Sequence, residues 1–200
     1  MRRLIALCLM SLALALPSAE ARADGLTQPE QARLDRGETV IREQTIDQAG
    51  RHYVGGVTYT VLPATATEVA ALFDDVAAYK QVLPKTKRAR DVGLDGGDKL
   101  IELVQGNALV EATYTIRVHR SGREWRFWLE PSRPHDIDDA WGYFRMQPIT
   151  TPDGDERVLL TYGVLVDVGP GIVRELFEER VRAAMLSVPQ LVRRYVARRG

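Results

Sequence analysis

The sequence predicts an α+β protein in which a curved antiparallel β-sheet is covered on one face by a long C-terminal helix. Three observations lead to this prediction. After Pro84, short runs of alternating apolar and polar side chains follow one another up to residue 166, with turn residues between them. Residues 170–199 then carry apolar side chains at helical spacing. A short helical segment separates this run from two earlier strands, an order typical of α+β layouts.

The N-terminal part of the domain is predicted to contain one short helix and two strands. Residues 27–34 begin with Thr27 and have Glu30 three positions later, which is the spacing of a capping box. Strands are expected at 39–46 and 53–62, because apolar side chains alternate with threonines in the second of these runs.

A pair of short helices is predicted between the second and third strands. Thr65 and Glu68 repeat the capping-box spacing. An apolar helical face follows at Val69, Leu72, Phe73 and Val76. The adjacent acids Asp74 and Asp75 lie off that face. Since adjacent residues of a helix do not face each other, we interpret both carboxylates as caps at a helix junction rather than as a catalytic or metal-binding pair.

The later strands each have one apolar face, which we expect to look toward the C-terminal helix. That face consists of Val110, Ala112, Tyr114, Ile116, Val118, Trp125, Phe127, Leu129, Gly142, Phe144, Met146, Val158, Leu160, Tyr162, Val164 and Val166. Two interpretations of its aromatic side chains stay open. They form an ordinary core, or some of them line a ligand cavity, because a sheet wrapped around one helix leaves space between the two.

The closing helix is predicted within 170–199. Its apolar residues are Val173, Leu176, Phe177, Val181, Ala184, Val188, Leu191, Val192 and Tyr195. Pro170 suits a helix start, and Pro189 should kink the helix late. The arginines at the end complement the helix C-terminus. A transient contact of this basic amphipathic tail with a membrane surface is the second interpretation.

The first 23 residues are predicted to be a signal peptide. A basic start is followed by the apolar run 4–16 and by a small-x-small cleavage site at 21–23. An uncleaved membrane anchor is the alternative, although the run is short for a membrane span. We therefore expect a secreted or periplasmic protein with three parts: the signal peptide 1–23, a lead-in with a short helix at 24–38, and one domain at 39–200.

Composition excludes several function classes. The chain has 27 basic and 27 acidic residues, and such a balance gives no support to nucleic-acid binding. The single cysteine, Cys8, would be lost with the signal peptide, leaving no thiol nucleophile, disulfide or cysteine-based zinc site. We expect no cofactor.

No catalytic residue or metal ligand is assigned from the sequence. The acidic cluster 135–139 lacks the glycine and the distal glutamate of a known calcium loop, so we interpret it as a solvated turn. The histidines His52, His119 and His135 are scattered and show no partner that would make one of them a general base. Motifs of nucleophilic or zinc hydrolases do not occur.

Several short segments, in their order along the chain, resemble a known superfamily. They are Val61-Leu62-Pro63-Ala64, Thr67-Glu68-Val69, Phe73-Asp74-Asp75, Tyr79, Leu83-Pro84, Trp125, the strand 142–148 and Leu160-Thr161-Tyr162. Over roughly 39–199 the chain resembles the START/Bet v 1-like helix-grip (SRPBCC) superfamily, and within it the polyketide cyclase/dehydrase and coenzyme Q-binding-like group. The resemblance implies a hydrophobic cavity between sheet and helix that binds sterols, lipids, quinones or polyketides. The superfamily has no shared catalytic signature, so no catalytic residue is carried over.

The leading functional hypothesis is an exported, monomeric binding protein for a hydrophobic small molecule such as a lipid, an isoprenoid quinone or a polyketide-like compound. Its predicted ligand-lining residues are Phe73, Val76, Tyr79, Tyr114, Ile116, Trp125, Phe127, Phe144, Met146, Tyr162, Val164, Phe177 and Val181. The loops near Pro84 and at 131–137 and 169–171 are the expected cavity mouth.

Two alternatives to this binding protein stay open: a cyclase or dehydratase acting on a similar ligand, and an interaction module with a filled core. A cavity separates the filled core from the other two: below roughly 300 Å³, the ligand-binding hypothesis would fail.

Overall fold

One sheet dominates the computed structural model, which describes residues 25–108, 111–151 and 154–199, without the side chains of 172–177. Eight antiparallel strands lie in the order β1-β2-β8-β7-β6-β5-β4-β3. The predicted signal peptide falls outside the described residues. Within the part of the chain that is described, no helix has the length and hydropathy needed to cross a membrane.

The elements and their bounds confirm the predicted α+β, helix-grip architecture, with short helices between the second and third strands. They are α1 (Gln28–Asp35), β1 (Val40–Gln48), β2 (Arg51–Leu62), α2 (Ala66–Asp74), a 3-10 turn (Val76–Ala78), α3 (Tyr79–Val82), β3 (Thr86–Asp95), β4 (Asp98–Gly106), β5 (Glu111–Ser121), β6 (Glu124–Leu129), β7 (Asp139–Thr150), β8 (Glu156–Asp167), α4 (Ile172–Leu186) and α5 (Val188–Ala197).

Both predicted capping boxes are present. At the start of α2, the Thr65 hydroxyl accepts a hydrogen bond from the Glu68 amide at 3.3 Å, and the Glu68 carboxylate accepts one from the Thr65 amide at 2.8 Å. Thr27 and Glu30 make the same reciprocal pair at α1. These bonds satisfy amides that the first turn of a helix leaves without partners, so the local sequence sets where each helix begins.

The C-terminal helix is interrupted where the proline pattern predicts it. Helix α4 ends at Leu186, and α5 begins at Val188 with Pro189 in its first turn. The buried Thr58 hydroxyl of β2 donates a hydrogen bond to the Leu186 carbonyl oxygen at 3.1 Å. A side chain of the sheet therefore satisfies a carbonyl at the break in the helix.

We expect Thr58→Val to lower the free energy of unfolding by about 1–3 kcal/mol, because the Leu186 carbonyl would stay buried without this partner. Urea denaturation measures the loss. Thr113→Val is the matched control, since the hydroxyl of this half-buried threonine bonds no described residue; that change should stay within about 0.5 kcal/mol. Equal effects of the two substitutions would refute a specific role for Thr58.

The main core lies between the inner face of the sheet and the helices. It includes side chains of α2, α3 and α5 as well as the inward residues of β4 to β8. A smaller cluster on the outer face joins Leu34 of α1 to Val40, Tyr59 and Leu159. Helix α1 thus covers part of the face that the sequence pattern alone left uncovered.

Candidate functional site

A cavity, called here the inner cavity, lies between the sheet, α3 and the α4–α5 junction. It measures about 60 Å³. Nine of its lining residues were predicted from the sequence: Phe73, Tyr79, Tyr114, Ile116, Trp125, Phe127, Phe144, Tyr162 and Val164. The aromatic members pack against one another, with the rings of Phe73 and Phe144 at 4.3 Å and those of Phe144 and Tyr162 at 4.7 Å. Nine of the thirteen predicted ligand-lining side chains therefore surround one space.

Four predicted lining residues are not placed in the inner cavity. Met146 is buried and pairs with Leu160 farther along β7. Val76 packs against the core, and Val181 is half-buried one turn before the point where α4 reaches the cavity. The side chain of Phe177 lies outside the described residues. Alternation fixes which face of a strand a residue occupies, but it does not fix the distance along the strand.

Ten further lining residues were not among the predicted ligand-lining set, although Val118 and Val166 were placed on the inner face and Pro84 near the expected mouth. They are Val82, Leu83, Pro84, Leu103, Gln105, Val118, Ala140, Val166, Met185 and Val188. The alternation of Leu103 and Gln105 with polar neighbours in β4 was a usable signal for two of them. Met185 and Val188 line the cavity because the helix breaks between them, and periodicity alone did not show where along the sheet this break lies.

The inner cavity is small for a ligand site. Typical small-molecule sites have volumes of roughly 300–1,000 Å³, so this space of about 60 Å³ does not by itself meet the criterion set above for ligand binding. A second space of about 280 Å³, the outer pocket, opens to the surface beside it and is lined by Asp74, Leu94, Gly96, Gly97, Asp98, Lys99, His119 and Arg120. Phe73, Tyr79, Val118 and Trp125 line both spaces. These four side chains lie between the two spaces and are called the partition.

Asp74 holds Trp125, one side chain of the partition, in place. Its carboxylate accepts a hydrogen bond from the Trp125 indole at 3.2 Å and forms an ion pair with Arg120. The Arg120 guanidinium also lies 4.6 Å from the centre of the Trp125 ring. Lys99 donates to the Asp74 carbonyl oxygen at 3.0 Å. The end of α2 is therefore tied to β5 and β6 across the outer pocket.

The two adjacent acids have different roles, which corrects the interpretation of both as caps. Asp75 does cap the following turn, because its carboxylate accepts a hydrogen bond from the Ala77 amide at 3.0 Å. Asp74 makes long-range contacts with the sheet instead.

Leu83 and Pro84 line the inner cavity, as expected near a mouth. The outer pocket, however, lies beside the β3–β4 turn rather than at 131–137 or 169–171.

The lining of the inner cavity is neutral. No charged side chain belongs to it among the described residues. Burial raises the pKa of Tyr79, Tyr114 and Tyr162, so these phenols stay protonated at physiological pH. Such a lining can bury apolar surface and offer hydrogen bonds, but it supplies no acid or base that titrates near neutral pH.

The histidines and the acidic cluster lie apart from the inner cavity. His52 contacts Asp47 at 2.6 Å and Glu178 at 3.1 Å. His119 contacts Asp98 at 2.7 Å at the outer pocket, and His135 contacts a backbone carbonyl. In the part of the chain that the structure describes, no group of three or more histidine, cysteine or acidic side chains is arranged to hold a metal ion.

Comparison with known proteins identifies the fold. No family model matches the sequence, and no curated protein matches it. Among solved structures, a STAR-related lipid transfer protein from Xanthomonas axonopodis is similar, with 16% identity and a TM-score of 0.60 over 80% of this chain and 93% of that chain. A protein from Thermus thermophilus has 16% identity and a TM-score of 0.57 over 72% of this chain and 97% of that chain.

A START superfamily protein from Mycobacterium smegmatis has 18% identity and a TM-score of 0.50 over 68% of this chain and 97% of that chain. At these identities the likeness shows the fold. The chain has a START/Bet v 1-like helix-grip fold, as the resemblance in the sequence implied. The fold therefore places the inner cavity between the sheet and its closing helix.

Proposed function

We propose that this protein binds a hydrophobic small molecule between its sheet and its C-terminal helices. The observation that carries the proposal is an uncharged cavity with many aromatic lining residues at that position. Burial of apolar ligand surface there would contribute roughly 25 cal/mol per Å² removed from water. The lipid-transfer protein of similar fold supports the same class of ligand.

Binding a drug-sized molecule requires the partition to move. The inner cavity alone is too small, and the outer pocket alone is open to solvent. Joined, their volumes of about 60 and 280 Å³ reach the lower end of the range for small-molecule sites. In this proposal the ligand enters from the outer pocket and displaces the partition, so that its apolar part reaches the inner cavity.

The test uses the neutral apolar fluorophore N-phenyl-1-naphthylamine. We expect a saturable rise in fluorescence with one site per chain, and we expect native mass spectrometry of protein purified from its own organism to show a co-purifying lipid-like compound. Absence of both saturable binding and a co-purified molecule would overturn the proposal.

We expect Asp74→Ala to raise the association rate of this fluorophore roughly fivefold, because Trp125 and Arg120 would lose the carboxylate that restrains them. Stopped-flow fluorescence measures the rate.

Asp75→Ala is the matched control for this rate measurement. It removes the same charge from the neighbouring position and abolishes only the cap on Ala77. It should lower stability by about 1 kcal/mol without changing the rate. Equal association rates in the two variants would show that Asp74 does not restrain entry.

The second candidate function is an interaction module with a filled core, and the small enclosed volume is the observation that favours it. Such a protein would show no saturable fluorophore binding. A cyclase or dehydratase has less support, since no carboxylate, histidine or lysine belongs to the described lining of the inner cavity.

Export completes the proposal. The basic start, apolar run and cleavage pattern of residues 1–23 support it. Cell fractionation combined with N-terminal sequencing tests it, and we expect a periplasmic or secreted chain that begins near residue 24. Protein in the cytoplasmic fraction that still carries residues 1–23 would overturn the export proposal without affecting ligand binding.

A further inference from the structure

The inner cavity contains few side-chain hydrogen-bond donors, and each can be assigned a partner or shown to lack one. The Tyr79 hydroxyl donates to the Phe73 carbonyl oxygen at 2.9 Å. The Trp125 indole donates to the Asp74 carboxylate at 3.2 Å. Neither donor is available to a molecule inside the cavity while the partition is closed.

The Gln105 side chain and the Tyr114 hydroxyl also use their donors within the protein. The Gln105 amide nitrogen donates to the Pro84 carbonyl oxygen at 3.1 Å and to the Thr86 hydroxyl at 2.9 Å. Its amide oxygen accepts the hydrogen bond from Tyr114. Both hydrogens of the amide and the hydrogen of the phenol are therefore committed.

The Tyr162 hydroxyl is different. The residue is 3% exposed and lines the inner cavity. Its hydroxyl makes no hydrogen bond to any residue that the structure describes, and its ring stacks on Phe144 at 4.7 Å. The oxygen is not one of the fully buried polar atoms of the described residues that lack a partner, which are Glu102 Oε1 and Arg182 Nε, so it keeps some accessible surface. A polar group in an otherwise apolar cavity needs a hydrogen-bond partner there. Water in the cavity or an oxygen of a ligand would satisfy it.

Charge limits which part of the ligand can occupy the inner cavity. A net charge buried without a counter-charge is strongly disfavoured. Because the described lining contains no charged group, a carboxylate or an ammonium group would have no partner there. A ketone, quinone or ester oxygen needs only a single donor.

We infer that the part of the ligand inside the inner cavity is neutral and mainly apolar, and that a carbonyl-type oxygen on it accepts a hydrogen bond from the Tyr162 hydroxyl. This inference rests on the proposed function and names the ligand class for the same site. It assigns Tyr162 as the residue that distinguishes an oxygen-bearing ligand from a plain hydrocarbon.

Four small probes of similar size test the inference by isothermal titration calorimetry. Acetophenone carries the carbonyl, ethylbenzene replaces it with a methylene group, and benzoate and phenyltrimethylammonium carry a charge. We expect the wild-type protein to bind the two neutral probes and neither charged one. Tyr162→Phe should weaken the binding of acetophenone roughly five- to tenfold, the effect of one hydrogen bond, and change the affinity for ethylbenzene less than twofold.

Tyr143→Phe provides the control, because it removes a phenol hydroxyl on the outer face of the sheet. Tyr143 pairs with Gly163, the residue after Tyr162, on β8. This substitution should leave all four affinities unchanged.

If neither neutral probe binds the wild-type protein, the proposed function fails. If both neutral probes bind but Tyr162→Phe affects them equally or not at all, the inference alone fails, and water is the partner of the hydroxyl. Tight binding of either charged probe that Tyr162→Phe weakens would also overturn the inference, because it would place a charge in the inner cavity.

Discussion

Ala140→Leu is expected to weaken binding of N-phenyl-1-naphthylamine and of ethylbenzene at least tenfold. Ala140 is 4% exposed and lines the inner cavity on β7. A leucine at this position would place three additional carbon atoms in a space of about 60 Å³. Because that space takes up the added atoms, the cost in stability should stay within about 2 kcal/mol. Fluorescence titration measures the affinity, and thermal unfolding verifies the fold.

Ala71→Leu adds the same atoms at an exposed position of α2. We expect wild-type affinity from this control. If a folded Ala140→Leu protein bound both probes as tightly as the wild type, the inner cavity would not be the binding site.

Gly55→Ala is expected to cause the largest loss of stability, about 4 kcal/mol or more. Gly55 has a φ of +155°, and a Cβ there would overlap the Val164 carbonyl oxygen and lie 2.9 Å from the carbonyl carbon. Both atoms belong to the backbone of β8, which pairs with β2 at this point. The contact can be relieved only by separating two central strands. Urea denaturation should show a lower midpoint.

Gly50→Ala separates the steric effect from the conformational one. Gly50 has a φ of +77° at the β1–β2 turn, and a Cβ there would meet nothing within 4 Å. It should cost only about 1–2 kcal/mol, the penalty for a left-handed residue. Equal losses at the two positions would mean that backbone conformation, and not the contact with Val164, makes Gly55 necessary.

The sequence determined the layout of this protein through local rules. Alternation assigned Tyr114, Phe144 and Tyr162 to the inner face, because successive side chains of a strand point to opposite faces. The Thr65 and Glu68 pair located the start of α2, and Pro189 located the interruption of the closing helix. Each of these features depends on neighbours only a few residues away, so a single sequence is sufficient to predict it.

Only the tertiary structure decided how those parts meet. Asp74 lies 51 residues from Trp125 in the sequence, and no local pattern predicts that its carboxylate holds this indole while Asp75 acts as a cap. Periodicity likewise placed Met146 on the correct face, but it could not show that this residue lies outside the inner cavity. The volume of the inner cavity, and the Tyr162 hydroxyl that bonds no described residue, are set by packing among many distant side chains, which alternation and capping rules do not encode.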